Sequence, residues 1–176
     1  MDPKERYIHL SKKKIRNLKD IDQNKFSSNI PKGLWFSRND KWINYLDENN
    51  SKELYGFIYQ INLLNPITKK LKDFGKNMIL KVGTEKKLGK FILKYGKDDK
   101  INWMNVANDF NGILFEPFIK DLDKEKYKWY SNLFVSSGCV WKKDSMEMNF
   151  LYEHKRHRSV RFNPEIQSKR VDQVLC

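Results

Sequence analysis

His9 is the histidine of this chain that lies in a segment expected to fold. The other two, His154 and His157, fall in a basic stretch near the end of the sequence. Apolar and polar residues alternate over Tyr7–Ser11, which predicts a short strand around His9. Imidazole changes its charge near neutral pH, so His9 could be a catalytic side chain. A lone histidine on a strand is more often a packed residue, and both interpretations stay open at this point.

Motifs that mark several familiar enzyme classes are absent from the sequence. It contains no GxxxxGK[ST] phosphate loop, no GxGxxG turn, no HExxH, no paired CxxC and no GxSxG elbow. Its two cysteines, Cys139 and Cys176, suggest neither a disulfide framework nor a four-ligand zinc cluster. We therefore expect no metal site and a reducing, intracellular location that is cytoplasmic or nuclear.

The 176 residues predict a single α+β domain over residues 1–153, followed by a basic tail over residues 154–176. The clearest element is a strand over residues 55–64, because alternate residues from Tyr55 to Leu63 place aromatic and aliphatic side chains on one face. The other predicted elements are a helical turn or two within 12–21, a strand at 33–37, a capped helix that follows it, a short helix over 102–107, a strand over 113–115 and two strands within 129–141.

The chain carries 35 Lys and Arg against 22 Asp and Glu, which gives a formal net charge of +13. A positive surface attracts polyanions, so RNA, DNA or another acidic macromolecule is a candidate partner. A lysine-rich composition would produce the same charge without any binding function. The sequence has no signal-peptide pattern and no apolar run long enough to span a bilayer, so we expect no membrane association.

Three parts of the sequence, taken in order, resemble the signature of the ADP-ribosyltransferase superfamily, and most of all its poly(ADP-ribose) polymerase branch. They are the His-x-Ser of residues 9–11, the GLWFS of residues 33–37 with an aromatic helix after it, and a late carboxylate. The resemblance covers mainly residues 6–64 and, less closely, residues 108–141. It implies a fold of split, mainly antiparallel β-sheets with flanking helices, and NAD as the substrate.

The resemblance implies that the first two parts bind NAD. His9 matches the histidine that holds the adenine-side ribose, and Ser11 matches the hydroxyl that bonds the nicotinamide carboxamide. The backbone of Leu10 would make the companion amide contacts. Gly33 and Trp35 fall in the second motif, where Trp35 stands in place of the usual tyrosine.

The same resemblance offers more than one candidate for the stacking side chain and for the catalytic acid. Tyr45 and Trp42 could each stack on nicotinamide, although Tyr45 lies one residue short of the family's spacing. Glu116 is the candidate carboxylate, which would stabilise the oxocarbenium-like ribose as the glycosidic bond breaks. The family's glutamate stands near the start of its strand, where Asp109 or Asn111 lies here. An asparagine at that position would imply weak NAD binding or no activity.

Three functional hypotheses follow from these observations. The first is an ADP-ribosyltransferase-like domain that transfers ADP-ribose from NAD to a protein or nucleic-acid acceptor. The alternatives are a basic nucleic-acid-binding protein without catalysis, and an inactive domain of the same fold that serves as an interaction module. The first requires a cleft lined by His9, Ser11, Trp35, Tyr45 and one acid, whereas core packing would place the aromatic side chains in a sealed interior.

Overall fold

Ten strands and three helices make up the regular structure of the described residues. The structure is a computed structural model, and it describes residues 6–49, 56–72, 77–122 and 127–153. The helices are α1 (Lys41–Glu48), α2 (Glu85–Tyr95) and α3 (Trp103–Asp109). The strands are β1 (Tyr7–Ser11), β2 (Leu34–Arg38), β3 (Phe57–Leu63), β4 (Ile67–Thr68), β5 (Ile79–Val82), β6 (Gly96–Lys97), β7 (Lys100–Ile101), β8 (Gly112–Phe115), β9 (Ser137–Val140) and β10 (Met146–Glu153).

Eight of these strands form one twisted sheet in the order β10-β3-β1-β2-β9-β8-β5-β4, and β6 pairs with β7 separately. Five of the seven neighbouring pairs are antiparallel, and the β4–β5 and β5–β8 pairs are parallel. The predicted α+β class with mainly antiparallel strands is therefore confirmed. The expected split into separate sheets is not what the hydrogen bonds show, because β9 pairs with β2 on one side and with β8 on the other.

The main core lies between the sheet and the three helices. Ile8 and Leu10 of β1 point into it together with Trp35 of β2. Alternation along a strand sends the intervening residues to the opposite face, where Phe36 belongs to a second, smaller core cluster. Partly buried aliphatic residues from the segment after β1 cover that second face, among them Ile15. Both faces of the sheet are thus covered, which agrees with the high burial of its central strands.

Trp129 lies at the centre of the main core, inside a 3-10 turn over Lys128–Asn132. Its ring centroid is 5.4 Å from that of Trp103, 5.8 Å from that of Phe115 and 6.0 Å from that of Phe91. The sequence predicted a strand at this point, and that prediction is wrong. A strand would send Trp129 and Tyr130 to opposite faces, whereas the turn lets both of these adjacent rings pack inward.

The connection between β1 and β2 has no helical turn, contrary to the prediction for residues 12–21. Backbone hydrogen bonds fix it to distant parts of the chain: Ile21 N–H donates to Trp141 O at 2.9 Å, and Ser27 pairs with Ile101. These long-range bonds satisfy backbone groups that a local helix would otherwise pair. The predicted basic tail, residues 154–176, lies outside the described residues. Of the helices described, none is long and apolar enough to cross a bilayer.

Candidate functional site

The carboxylate of Glu116 is buried and bound by two cationic side chains. The Glu116 side chain is 8% exposed, and Arg38 Nε lies 2.6 Å from its Oε1. Arg38 Nη2 donates to Oε2 at 2.9 Å, and Lys81 Nζ lies 3.2 Å from the same oxygen. Arg38 ends β2, Lys81 lies in β5 and Glu116 directly follows β8, so the ion cluster ties three strands together. Both oxygens of the predicted catalytic acid are therefore occupied by protein cations.

His9 is buried on the face of the sheet opposite the helices. Its Nδ1–H donates to Trp35 O at 2.5 Å, and its ring lies 6.1 Å from that of Tyr59. Burial lowers the pKa of His9 from 6.5 to about 4, although the hydrogen bond to Trp35 acts in the opposite direction. The imidazole is therefore neutral at physiological pH and has its Nδ1 proton committed to the backbone.

Three non-aromatic residues of the two predicted NAD-binding segments have structural roles in the described fold. They are Leu10, Ser11 and Gly33. Ser11 Oγ donates to Lys13 O at 2.6 Å, which ties down the exit of β1. Leu10 is fully buried in the main core. A Cβ at Gly33 would clash with Cys139 Sγ and lie 2.7 Å from Val140 O, so only glycine lets β2 approach β9 this closely.

Two of the three aromatic residues predicted to bind NAD point into the interior. Trp35 is 1% exposed, and its Nε1 donates to Pro31 O at 3.1 Å. Trp42 is 4% exposed, and its Nε1 donates to Ser137 Oγ at 3.1 Å. Each indole thus has a hydrogen-bond partner inside the protein, as core packing predicts. Tyr45 differs, because it is only half-buried.

The structure brings some of the predicted site residues together and keeps others apart. His9 and Trp35 share a hydrogen bond, and His9 and Ser11 point to the same face of β1. Glu116 follows β8, which β2 and β9 separate from β1. Because neighbouring strands lie about 4.8 Å apart, the strand carrying Glu116 is roughly 14 Å from the strand carrying His9. Glu116 and His9 therefore do not face a common reacting atom in this arrangement.

The two other residues considered from the sequence at the catalytic position, Asp109 and Asn111, also have partners within the protein. Asp109 ends α3, where its Oδ2 accepts from Tyr95 Oη at 2.5 Å and lies 2.9 Å from Lys94 Nζ. Burial and the neighbouring Asp109 carboxylate raise the pKa of Tyr95 above its ordinary value. Asn111 Nδ2 donates to Asn65 Oδ1 at 3.1 Å. Over the described ranges, no three His, Cys, Asp or Glu side chains cluster as a metal site would require.

Lysines converge on a surface cavity that the sequence analysis did not locate, and we call it the lysine pocket. The cavity has a volume of about 360 Å³. Its lysines are Lys69, Lys70, Lys72, Lys81, Lys87 and Lys90, and Leu71, Leu80 and Val82 form its apolar wall. Of these six, Lys81 is paired with Glu116. Within the described residues, none of the other five has a carboxylate within ion-pair distance.

Local structure explains why these lysines meet. Lys69 to Lys72 follow β4 at the edge of the sheet, next to β5. Lys87 and Lys90 are three residues apart on α2, so they project from the same face of the helix. The sequence signal was present as two dense lysine runs, TKKLK and EKKLGK. Only the fold shows that the two runs line one cavity.

A second cavity, the aromatic groove, has a volume of about 480 Å³. Its walls include two stacked ring pairs. Tyr45 stacks on Phe134 with centroids 5.3 Å apart, and Phe118 stacks on Tyr130 with centroids 5.7 Å apart. Lys120, Ser131 and Asn132 supply polar groups to the lining. Tyr45 is thus the one predicted NAD-binding residue that lines either this groove or the lysine pocket.

Comparison of the chain with family models, with curated proteins and with solved structures gave no match.

Proposed function

We propose that this protein binds the phosphate backbone of nucleic acid, and that the lysine pocket makes the main contact with the phosphates. The observation that carries the proposal is the convergence of Lys69, Lys70, Lys72, Lys87 and Lys90 on one cavity without carboxylate partners among the described residues. Cationic side chains around one cavity create a local positive potential, which favours a bound anion. Phosphate bound in the cavity is therefore expected to stabilise the folded state.

The charge of the whole chain supports a large anionic ligand over a small one. The formal net charge of +13 gives a positive field that extends beyond the lysine pocket and steers a polyanion toward it. Binding of successive phosphates releases condensed counterions, which is the main source of affinity for sequence-independent contacts. The two lysine runs approach from α2 and from the edge of the sheet, so they can hold neighbouring phosphates of one strand.

A charge-neutralising substitution tests this proposal. The Lys87→Gln/Lys90→Gln variant is expected to weaken binding of a fluorescein-labelled 20-nucleotide oligonucleotide about tenfold, since two phosphate contacts are lost. The plot of log affinity against log salt concentration should also become less steep. Two lost phosphate contacts reduce the magnitude of its slope by roughly 1.4 to 1.8. Fluorescence anisotropy over a salt series measures both quantities.

The matched control is Lys19→Gln/Lys25→Gln, which removes the same charge from two exposed lysines outside the pocket. That variant is expected to retain affinity within about threefold, because it lowers only the general field. Equal losses in the two variants would show that binding follows total charge and would remove the lysine pocket from the proposal. Absence of measurable binding by the wild-type protein would remove nucleic acid as the ligand.

ADP-ribosyl transfer from NAD is a second candidate, and one contact favours it. The resemblance has a His-x-Ser strand followed along the chain by a GLWFS motif. Here β1 and β2 are hydrogen-bonded neighbours, and the His9 Nδ1–Trp35 O bond also joins them. For NAD to bind beside β1 and β2 and reach Glu116, Arg38 and Lys81 would have to move away from its carboxylate. The buried Trp35 ring would also have to become accessible. An inactive interaction module of the same fold would bind without releasing nicotinamide.

If NAD is a ligand, a concentration ten times its Kd stabilises the folded state by about 1.4 kcal/mol and raises Tm by roughly 3 to 6 °C. A thermal melt with millimolar NAD measures this shift, and the increase should be absent in Ser11→Ala. Nicotinamide release, followed by chromatography, separates a transferase from an inactive binder. An unchanged Tm in the presence of NAD would eliminate both versions of this candidate.

A further inference from the structure

We infer that the aromatic groove receives an unpaired nucleobase, so that the nucleic acid bound by this protein is single-stranded where it meets the groove. The inference rests on the function proposed above and adds the class of nucleic acid. Its main support is the pair of ring stacks, Tyr45 with Phe134 and Phe118 with Tyr130, which lie in the lining of one cavity.

The two rings of each pair lie nearly parallel, so each ring keeps one flat face on the side away from its partner. The planes of Tyr45 and Phe134 differ by 14°, and those of Phe118 and Tyr130 differ by 5°. Tyr45, Phe118 and Phe134 are only half-buried, so their covering by protein atoms is incomplete. A planar heterocycle gains most from such a surface by stacking parallel to it, and every base offers a face for this contact.

The size and polar groups of the groove also fit a base with its attached phosphate. Its volume of about 480 Å³ falls in the range of small-ligand sites. The Asn132 side-chain amide can both donate to and accept from a base edge, and the exposed Lys120 ammonium can contact a phosphate. An apolar peptide would leave the Lys120 ammonium without an anionic partner, whereas a nucleotide would supply one.

Base pairing decides whether this groove can be used. In a duplex the faces of each base are covered by its neighbours in the stack, and exposing one requires it to be unpaired and unstacked. Phosphates are present in both single and double strands. The lysine pocket alone therefore predicts little preference, while the aromatic groove adds a preference for single strands.

Oligonucleotides with and without bases test the inference on the wild-type protein. A single-stranded 20-mer is expected to bind at least fivefold more tightly than an abasic 20-mer with the same phosphates, and more tightly than the corresponding duplex. The Phe118→Leu/Phe134→Leu variant keeps apolar volume but removes two ring faces. It should weaken binding of the 20-mer by fivefold or more and leave binding of the abasic strand unchanged.

The outcomes separate this inference from the proposed function. If the abasic strand binds as tightly as the normal strand, the inference is wrong, and a tenfold loss in Lys87→Gln/Lys90→Gln would still uphold phosphate binding. If the ring variant loses single-strand affinity while the lysine variant does not, the groove binds bases and the lysine pocket is not the phosphate site. Equal binding of single strand and duplex would also overturn the inference.

Discussion

Replacing Glu116 with glutamine is expected to lower the free energy of unfolding by about 2 to 3 kcal/mol. Removing one member of a buried ion pair leaves a charge without its partner, which costs about 3 to 5 kcal/mol when the remaining charge is fully buried. Here the remaining cations can recover some hydration, because the side chains of Arg38 and Lys81 are 26% and 23% exposed. Urea denaturation followed by tryptophan fluorescence measures the change.

The matched control is Glu147→Gln, which removes the same charge from an exposed position on β10 and should change stability by less than about 0.5 kcal/mol. The double variant Arg38→Gln/Glu116→Gln should lose less stability than the two single variants combined, because the ion pair is removed only once. A catalytic carboxylate gives the opposite result, since relieving a strained active site often leaves stability unchanged or higher. A stable Glu116→Gln protein would therefore restore Glu116 as a candidate for chemistry.

Acidification is expected to destabilise the protein through His9. Its pKa is about 4 in the folded state, against 6.5 for an exposed histidine, so the unfolded chain binds the additional proton between these values. The contribution of His9 to stability is fully present above pH 6.5 and is lost as the pH falls toward 4. Between pH 7.5 and 4.5 the loss amounts to about 2.5 kcal/mol.

The comparison that isolates this effect is His9→Asn, which can keep a side-chain N–H near Trp35 O but does not titrate. Its unfolding free energy should fall less than that of the wild-type protein over the same pH interval, by about 2 to 3 kcal/mol. The carboxylates and the remaining histidines titrate in both proteins, so their contributions to the unfolding free energy cancel in the difference. Parallel pH profiles for the two proteins would mean that His9 is hydrated and accessible, as a ligand-binding histidine would be.

Periodicity in the sequence was sufficient to predict most of the strands near the N-terminus. The alternation of Tyr7–Ser11 and the apolar run after Gly33 correspond to β1 and β2, and the long strand predicted over 55–64 contains β3. All three segments are short and rich in aromatic and aliphatic residues, and aromatic and β-branched residues are enriched in strands. The cap at Asn102 likewise explains why the predicted helix near 102–107 forms, since its side chain accepts from Asn105 N–H.

The remaining elements depend on contacts between distant residues. Trp129 enters a 3-10 turn because Phe91 and Trp103 provide an aromatic environment on one side of the sheet, and neither residue is near it in sequence. The continuous sheet likewise depends on β9 finding two partners, β2 and β8, that are far apart along the chain. Local propensity contains no information about such pairings.

In the candidate site, too, residue types could be predicted from the sequence, whereas the contacts between distant residues could not. Residue types alone pointed to Glu116. A sequence pattern could not reveal that Arg38 would reach its carboxylate from the far side of β9, or that Lys81 would reach it from the neighbouring β5. The lysine pocket was missed for the converse reason: its two runs look like ordinary solvated surface until the fold places them on one cavity. Tyr45 was selected for its spacing from GLWFS, and the structure places it beside Phe134 in the aromatic groove.

The order of strands in the main sheet also constrains how the protein is made on the ribosome. β2 finds its second neighbour only when β9 has been synthesised, roughly a hundred residues later. β3 waits for β10, which follows it by roughly eighty residues. During that interval the open sides of β2 and β3 offer unpaired backbone groups to any other extended chain. The first three strands are therefore expected to stay open to pairing with other chains until the two late strands emerge.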